Sequence, residues 1–228
     1  MFPRVVPCAL ALLLALGCEG VEEEKTPTVE APPLDRSALP KIVAFGDSLT
    51  AGFGIGLDQA YPAVLQELLD DRGYAYEVVN AGVSGDTSAG GVRRLDWVLD
   101  SGNVEVLILA LGANDGLRGL PASEMKKNLA DILSRASSRG VRVLLAGFEA
   151  PPDSKDRYVK EFVSVFPELA REHEVALMPS LLEGIAGVPD LNQEDGKHPN
   201  VKGARVLAGN VLRALEPLLS SPRSSSAP

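Results

Sequence analysis

From Lys41 onward, short apolar runs alternate with stretches in which apolar residues recur every three or four positions. "KIVAF" (41–45) reads as a buried strand. Tyr61, Val64, Leu65, Leu68 and Leu69 then share one helical face, with Gly73 as a stop. "YEVVN" (76–80) is strand-like, and 90–100 reads as a helix. "VEVLILALG" (104–112) is the strongest strand and is apolar on both faces, as a central parallel strand should be. Met125, Leu129, Ile132, Leu133 and Ala136 mark a helix closed by Gly140, and "VRVLLAGF" (141–148) is the next strand. Tyr158, Phe162, Phe166 and Leu169 mark a helix with Pro167 as a candidate break. A weaker strand, "VALMPSL" (175–181), precedes a final helix on Ala204, Leu207, Val211, Leu212 and Leu215. Strand and helix in turn five times predicts an α/β fold, a sandwich around a five-stranded, mostly parallel sheet. Ligands in such folds sit beyond the carboxyl ends of the strands.

The flanks do not share this pattern. Met1 to Arg4 carry one positive charge, "VVPCALALLLAL" (5–16) is apolar, and Gly17 and Cys18 follow. The apolar run falls short of the ~20 residues a spanning helix needs. It has the order of a signal sequence, with a short charged region, an apolar region and a small residue at the cut. "ALGC" resembles the lipobox of bacterial lipoproteins, with Ala15 where Leu is usual. That resemblance implies a signal peptide over 1–17 and a lipid on Cys18. The protein is then expected at the periplasmic side of a bacterial cell envelope, held to a membrane by its anchor. Residues 18–40 are acidic and contain prolines, which reads as a tether. The folded domain is expected over 41–219, with a low-complexity tail over 220–228.

Charge and cysteine count narrow the chemistry. A net charge of −9 over 228 residues argues against a nucleic-acid partner, because such binding rests on Lys and Arg neutralising phosphates. With cleavage before Cys18, neither Cys8 nor a pairable Cys18 leaves the domain a disulfide. Cysteine-protease chemistry and Cys-ligated zinc are excluded by count. His173 and His198, 25 positions apart, do not form a zinc ligand set. The glycine-rich loops lack the Gly-Lys-Ser/Thr ending of a phosphate loop.

Four segments follow strands: "GDSLTAG" (46–52), "NAGVSGDTSAGG" (80–91), "LGANDGLRG" (111–119) and "NQEDGKHPN" (192–200). They offer the Ser48 hydroxyl, backbone amides on a glycine-rich turn, the Asn114 amide, and Asp195 with His198. Together these meet the demands of acyl transfer. A serine hydroxyl needs a base to take its proton, imidazole suits that task, and a carboxylate can hold the other ring nitrogen. The Ser48 and Gly85 N–H groups and the Asn114 side chain could hold an oxyanion. Taken singly, Ser48 could be only a helix cap, Gly82 and Gly85 only turn residues, and Asn114 only a turn former. Asp47, Asp86 and Asp115 read as loop braces, and His173 as a solvated helix end. Arg118 is left between substrate contact and a bond to a neighbouring loop.

"FGDSLTAG", "SGDTS", "GANDGLRG" and "DGKHPN" resemble, in order and spacing, the blocks of the GDSL or SGNH serine hydrolases. The likeness runs from about Lys41 to Leu218. Within that family it is nearest the bacterial periplasmic thioesterase/lysophospholipase/arylesterase group, as "YVKEFVSVFPEL" (158–169) also suggests. The resemblance implies a three-layer α/β/α, flavodoxin-like fold. It implies Ser48 as nucleophile, Asp195 and His198 completing the triad, and Ser48, Gly85 and Asn114 as the oxyanion site. It implies a small acyl-ester or lipid substrate and no metal or cofactor; a monomer is expected. Two departures stand out. Lys197 occupies a position that is usually apolar, and "PPDSKDRY" (151–158) lacks the usual Asn-Tyr-Gly of a loop thought to contact the acyl chain. Two alternatives remain at this stage: a carbohydrate O-acetylesterase, and a binding lipoprotein that keeps the fold without turnover.

Overall fold

The fold is given by a computed structural model, which describes residues 1, 36, 38–150 and 154–222. Most of the signal and tether readings, the lipidation site, residues 151–153 and most of the tail lie outside the described residues; the last tether positions do not, and there Leu39 is buried and Arg36 pairs with Asp70.

Five strands form one sheet: β1 (Lys41–Gly46), β2 (Glu77–Gly82), β3 (Val104–Ala110), β4 (Arg142–Ala146) and β5 (Ala176–Met178). Their order is β2-β1-β3-β4-β5. Every pairing is parallel, so the sheet is wholly and not merely mostly parallel. The helices are α1 (Ser48–Ala51), α2 (Tyr61–Asp71), α3 (Ser88–Leu99), α4 (Ala113–Leu117), α5 (Ala122–Ser138), α6 (Arg157–Glu172) and α7 (Val201–Leu215).

Alternation along the strands builds two cores. Ile42, Ala44, Val106 and Ile108 face one side, where Leu65 and Leu69 of α2 and Leu207 and Val211 of α7 cover them. Val43, Phe45, Leu107 and Leu109 face the other, under Leu95 of α3, Leu129 and Ile132 of α5 and Phe166 of α6. This is the expected α/β/α sandwich. β1 and β3 are buried on both faces, which is why they read as unbroken apolar runs. From β1 the chain crosses to β2 on one side, then returns past β1 to β3 on the other. The switch point therefore lies between β1 and β3, and ligand sites in open parallel sheets gather there.

Several boundaries differ from the sequence reading. Gly73 and Gly140 do follow their helices, each at φ +74°. The helix placed at 90–100 begins two residues earlier, behind Thr87 as cap. The last strand is only Ala176–Met178. Pro167 does not break α6, which runs through it. An interior proline costs about 3 kcal/mol, but Pro167 is exposed while Phe162, Val165, Phe166 and Leu169 are buried on the opposite face. Roughly 1.5–3 kcal/mol per large apolar side chain outweighs one lost backbone bond.

Candidate active site

The first strand end supplies a sharp turn. β1 stops at Gly46, and Asp47 caps α1, its side chain accepting from Leu49 N at 3.0 Å. Asp47, not Ser48, is the cap, so the Ser48 hydroxyl is free for another partner. A β-carbon on Gly82 would come within 2.2 Å of Ala51 N, so only glycine there lets α1 lie against the end of β2.

The partner of Ser48 comes from the loop between β5 and α7. Asn200 caps α7, its side chain accepting from Lys202 N and Gly203 N. Asn192 pairs with Pro199 in an isolated antiparallel bridge, and Gln193 N donates to His198 O at 2.8 Å. The loop is thereby closed on itself and aims His198 at α1. His198 Nε2 lies 2.9 Å from Ser48 Oγ, and Nδ1 lies 2.5 Å from Asp195 Oδ2. The other carboxylate oxygen, Oδ1, accepts from the backbone N–H of Lys197 and of His198. Hydrogen bonds, that from His198 first and then these two, hold the Asp195 carboxyl well below the usual carboxylate range.

The second and third strand ends meet opposite this pair. Gly85, at φ +80°, sits third in a tight turn closed by Asp86 N donating to Val83 O at 3.0 Å. Among the described residues neither Ser48 N nor Gly85 N has a protein acceptor. Asn114, on α4, donates through Nδ2 to Asp86 O at 2.9 Å and to Asp47 Oδ2 at 3.2 Å. The structure thus gathers four of the five residues expected at the site, Ser48, Gly85, Asn114 and His198, around one cavity of about 590 Å³, and places the fifth, Asp195, behind His198. Phe148, Tyr158, Phe162, Val163, Leu182 and Ala186 form its apolar wall. Cys18, the expected lipid site, is outside the described residues.

The bracing residues act as read, with partners now assigned. Asp86 pairs with Arg94 at 2.7 Å, and Asp115 accepts from Ser88 N and Oγ at 2.8 and 2.6 Å. Arg118 binds the neighbouring loop, donating to Gly85 O. His173 ends α6 as its cap. Lys197 is exposed at the cavity edge.

Three contributors escaped the sequence reading. Arg94 ties Gly46 O, Ala81 O and Asp86 together over the Phe45 ring. Gln193 Nε2 donates to Phe53 O. Phe53 lies with its ring centroid 4.7 Å from that of His198. The sequence around each carries no marker for these contacts.

Burial pushes the Asp47 carboxyl up to about 6, against the opposing pull of its Leu49 hydrogen bond and of His198. The folded protein therefore holds this proton more tightly than the unfolded chain, where Asp titrates near 3.9. The sign follows: the contribution to stability is full below pH ~4 and is lost as pH rises through about 6, on the order of 3 kcal/mol in all. In urea unfolding from pH 4 to 7, the stability difference between the parent and Asp47→Asn is expected to drift against the parent by that order. Parallel profiles would show that Asp47 is not held in this way.

Residues 44–206 match the GDSL-like lipase/acylhydrolase family. The chain is 40% identical over 184 residues to Esterase TesA of Pseudomonas aeruginosa, covering 81% of this chain and 92% of the relative. It is 33% identical over 184 residues to Thioesterase 1/protease 1/lysophospholipase L1 of Escherichia coli K12, covering 81% and 87%. Its fold is similar to the crystal structure of the psychrotrophic esterase EstA from Pseudoalteromonas sp., inhibited by monoethylphosphonate. That match has a TM-score of 0.73 and 32% identity, and covers 78% of this chain and 97% of that one.

Proposed function

The chain belongs to the GDSL-like lipase/acylhydrolase family and is an acyl ester hydrolase; on that premise we propose that Ser48, His198 and Asp195 carry the hydrolysis through an acyl-enzyme. The observation that carries this reading is the continuous contact from Ser48 Oγ through the imidazole to Asp195. Ser48 Oγ attacks the acyl carbonyl carbon as its proton passes to His198 Nε2. Asp195 accepts from Nδ1–H and stabilises the imidazolium. The new oxyanion accepts from Ser48 N–H, Gly85 N–H and Asn114 Nδ2, each such donor contributing about 3 kcal/mol to the transition state. For Asn114 the longer bond to Asp47 is the one that gives way. The carbon–oxygen or carbon–sulfur bond then breaks, and His198 protonates the leaving group. Water attacks the acyl-enzyme with His198 again as base, releasing the acid and Ser48.

The apolar cavity wall favours acyl chains over acetylated sugars, whose polar rings would lose water against it. Lysophospholipid and thioester substrates follow from the same wall and from the relative named for both activities. A fluorophosphonate probe is the direct test. Label is expected on Ser48 of the folded protein, and its absence would leave only a binding role.

The same proposal includes a membrane anchor on Cys18 and action from the periplasmic side of a bacterial envelope by a monomer, since one chain supplies every reacting group. "ALGC" after an apolar run supports it. Two acyl chains are enough for stable anchoring. Growth with an alkyne-tagged fatty acid is expected to label the protein in a way that Cys18→Ser abolishes. Label that persists in that variant would remove Cys18 as the site.

A further inference from the structure

We infer that Arg118 is a positioning residue for the oxyanion site, setting the distance between its Gly85 and Asn114 donors. The inference rests on the proposed reading of both groups as oxyanion donors. Its observations are separate from those that support the triad.

The Gly85 donor sits on a soft support. The turn from Val83 to Asp86 has a positive φ at its third residue, Gly85, and none at Ser84, which places it in the type II class. In that class the central peptide carries the Gly85 N–H. Glycine tolerates φ of either sign at similar cost, so glycine alone does not keep this N–H aimed at the substrate. Its direction depends on what holds the peptides on either side.

Three bonds hold them. Asp86 N donates to Val83 O. Asn114 Nδ2 donates to Asp86 O. Arg118 Nη2 donates to Gly85 O at 2.7 Å. The first bond lies within the turn itself and the second is made by a side chain that also serves the oxyanion, which leaves Arg118 as the outside tie with no part in the reaction. The Arg118 backbone is also fixed to the other donor: its N–H donates to Asn114 O at 3.2 Å, at the end of α4. The far side of this segment is anchored where Tyr158 Oη donates to Leu120 O at 2.7 Å. One residue thus has its main chain on the Asn114 helix and its side chain on the Gly85 carbonyl. Its guanidinium is always charged, which strengthens its bond to the Gly85 carbonyl. A β-carbon on Gly85 would find Arg118 Nη2 as its near neighbour, at 3.7 Å.

Arg118 is exposed, so its replacement should leave the fold intact. Arg118→Ala is expected to lower kcat on p-nitrophenyl butyrate by about 10–100-fold, part of the 10²–10³ that loss of a whole donor brings. KM should change little, because the ground-state carbonyl does not depend on the donors as the oxyanion does. Arg118→Lys keeps a charge and one donor and should recover part of kcat. Added guanidinium ion should do the same for Arg118→Ala. Unchanged kcat in Arg118→Ala would overturn the inference. So would a fall in Tm matching the fall in kcat with no recovery from lysine or guanidinium, which would make Arg118 merely structural. Ser48→Ala in the same series separates the two levels. If it turns over like the parent, the proposed site itself fails; if it is inert while Arg118→Ala is unimpaired, only the role of Arg118 falls.

Discussion

Ser48→Ala is expected to lower kcat on short acyl esters by on the order of 10⁶-fold, the scale seen when a triad serine is removed. Ser48 is half-buried, and its hydroxyl bonds only to His198 among the described residues. Loss of that one bond changes stability by about 1 kcal/mol, so Tm should move by a few degrees at most and the loss of rate cannot be laid to unfolding. His198→Ala should be comparable, and the double variant little worse than either, because nucleophile and base act as one unit. The residual rate measures what the oxyanion donors and the cavity contribute without a nucleophile. Steady-state turnover with purified protein, freed of contaminating esterase, checks the prediction. A Ser48→Ala protein within tenfold of the parent would require another nucleophile, and among the described residues His198 has no hydroxyl partner but Ser48.

What the sequence made legible follows from how each part is stabilised. β1 and β3 are buried on both faces, so their apolar runs could hardly be anything but central strands. α5 announces itself by Met125, Leu129, Ile132 and Leu133, all buried on one face. β2 is a half-exposed edge strand, so its composition marks its limits poorly and it ends two residues later than read. α1 and α4 are too short for a helical period to show. α1 is imposed by the Asp47 cap at the end of β1, and α4 follows β3 with no side-chain cap at all. The five expected site residues were legible because each lies in a block whose spacing matches a known family. Arg94 was not, because it acts on Gly46, Ala81 and Asp86 through space and its neighbours in sequence say nothing of them. The same holds for Asp47 and Asn114, which meet from strand ends 67 positions apart. α6 is the reverse case. The proline rule was sound, but the buried face decides.

Asp195→Asn should cost more than Asp195→Ala, although it is the smaller change. Asp195 does two jobs: Oδ1 accepts from two backbone amides, and Oδ2 accepts from His198 Nδ1. An asparagine can keep the first with its carbonyl oxygen, which then turns its NH₂ toward Nδ1. Two donors cannot face each other, so the imidazole moves its proton to Nε2 and presents N–H to Ser48. In that tautomer it cannot take the serine proton, and a loss of about 10⁴ in kcat is expected. Alanine removes the partner without imposing the wrong tautomer. The Asp195 side chain is 38% exposed, so water can accept from Nδ1–H in its place and the loss should be smaller. Acid alone should not mimic either variant under working conditions. The Asp195 carboxyl is held below the usual range, chiefly by His198, so the contact persists above the ordinary Asp value near 3.9 and is lost only as pH falls through the lower folded value. Rates of both variants from pH 5 to 9 test this. Asparagine at least as active as alanine would mean that Asp195 acts through its backbone bonds alone, shaping the loop and leaving the imidazole proton to find its own place.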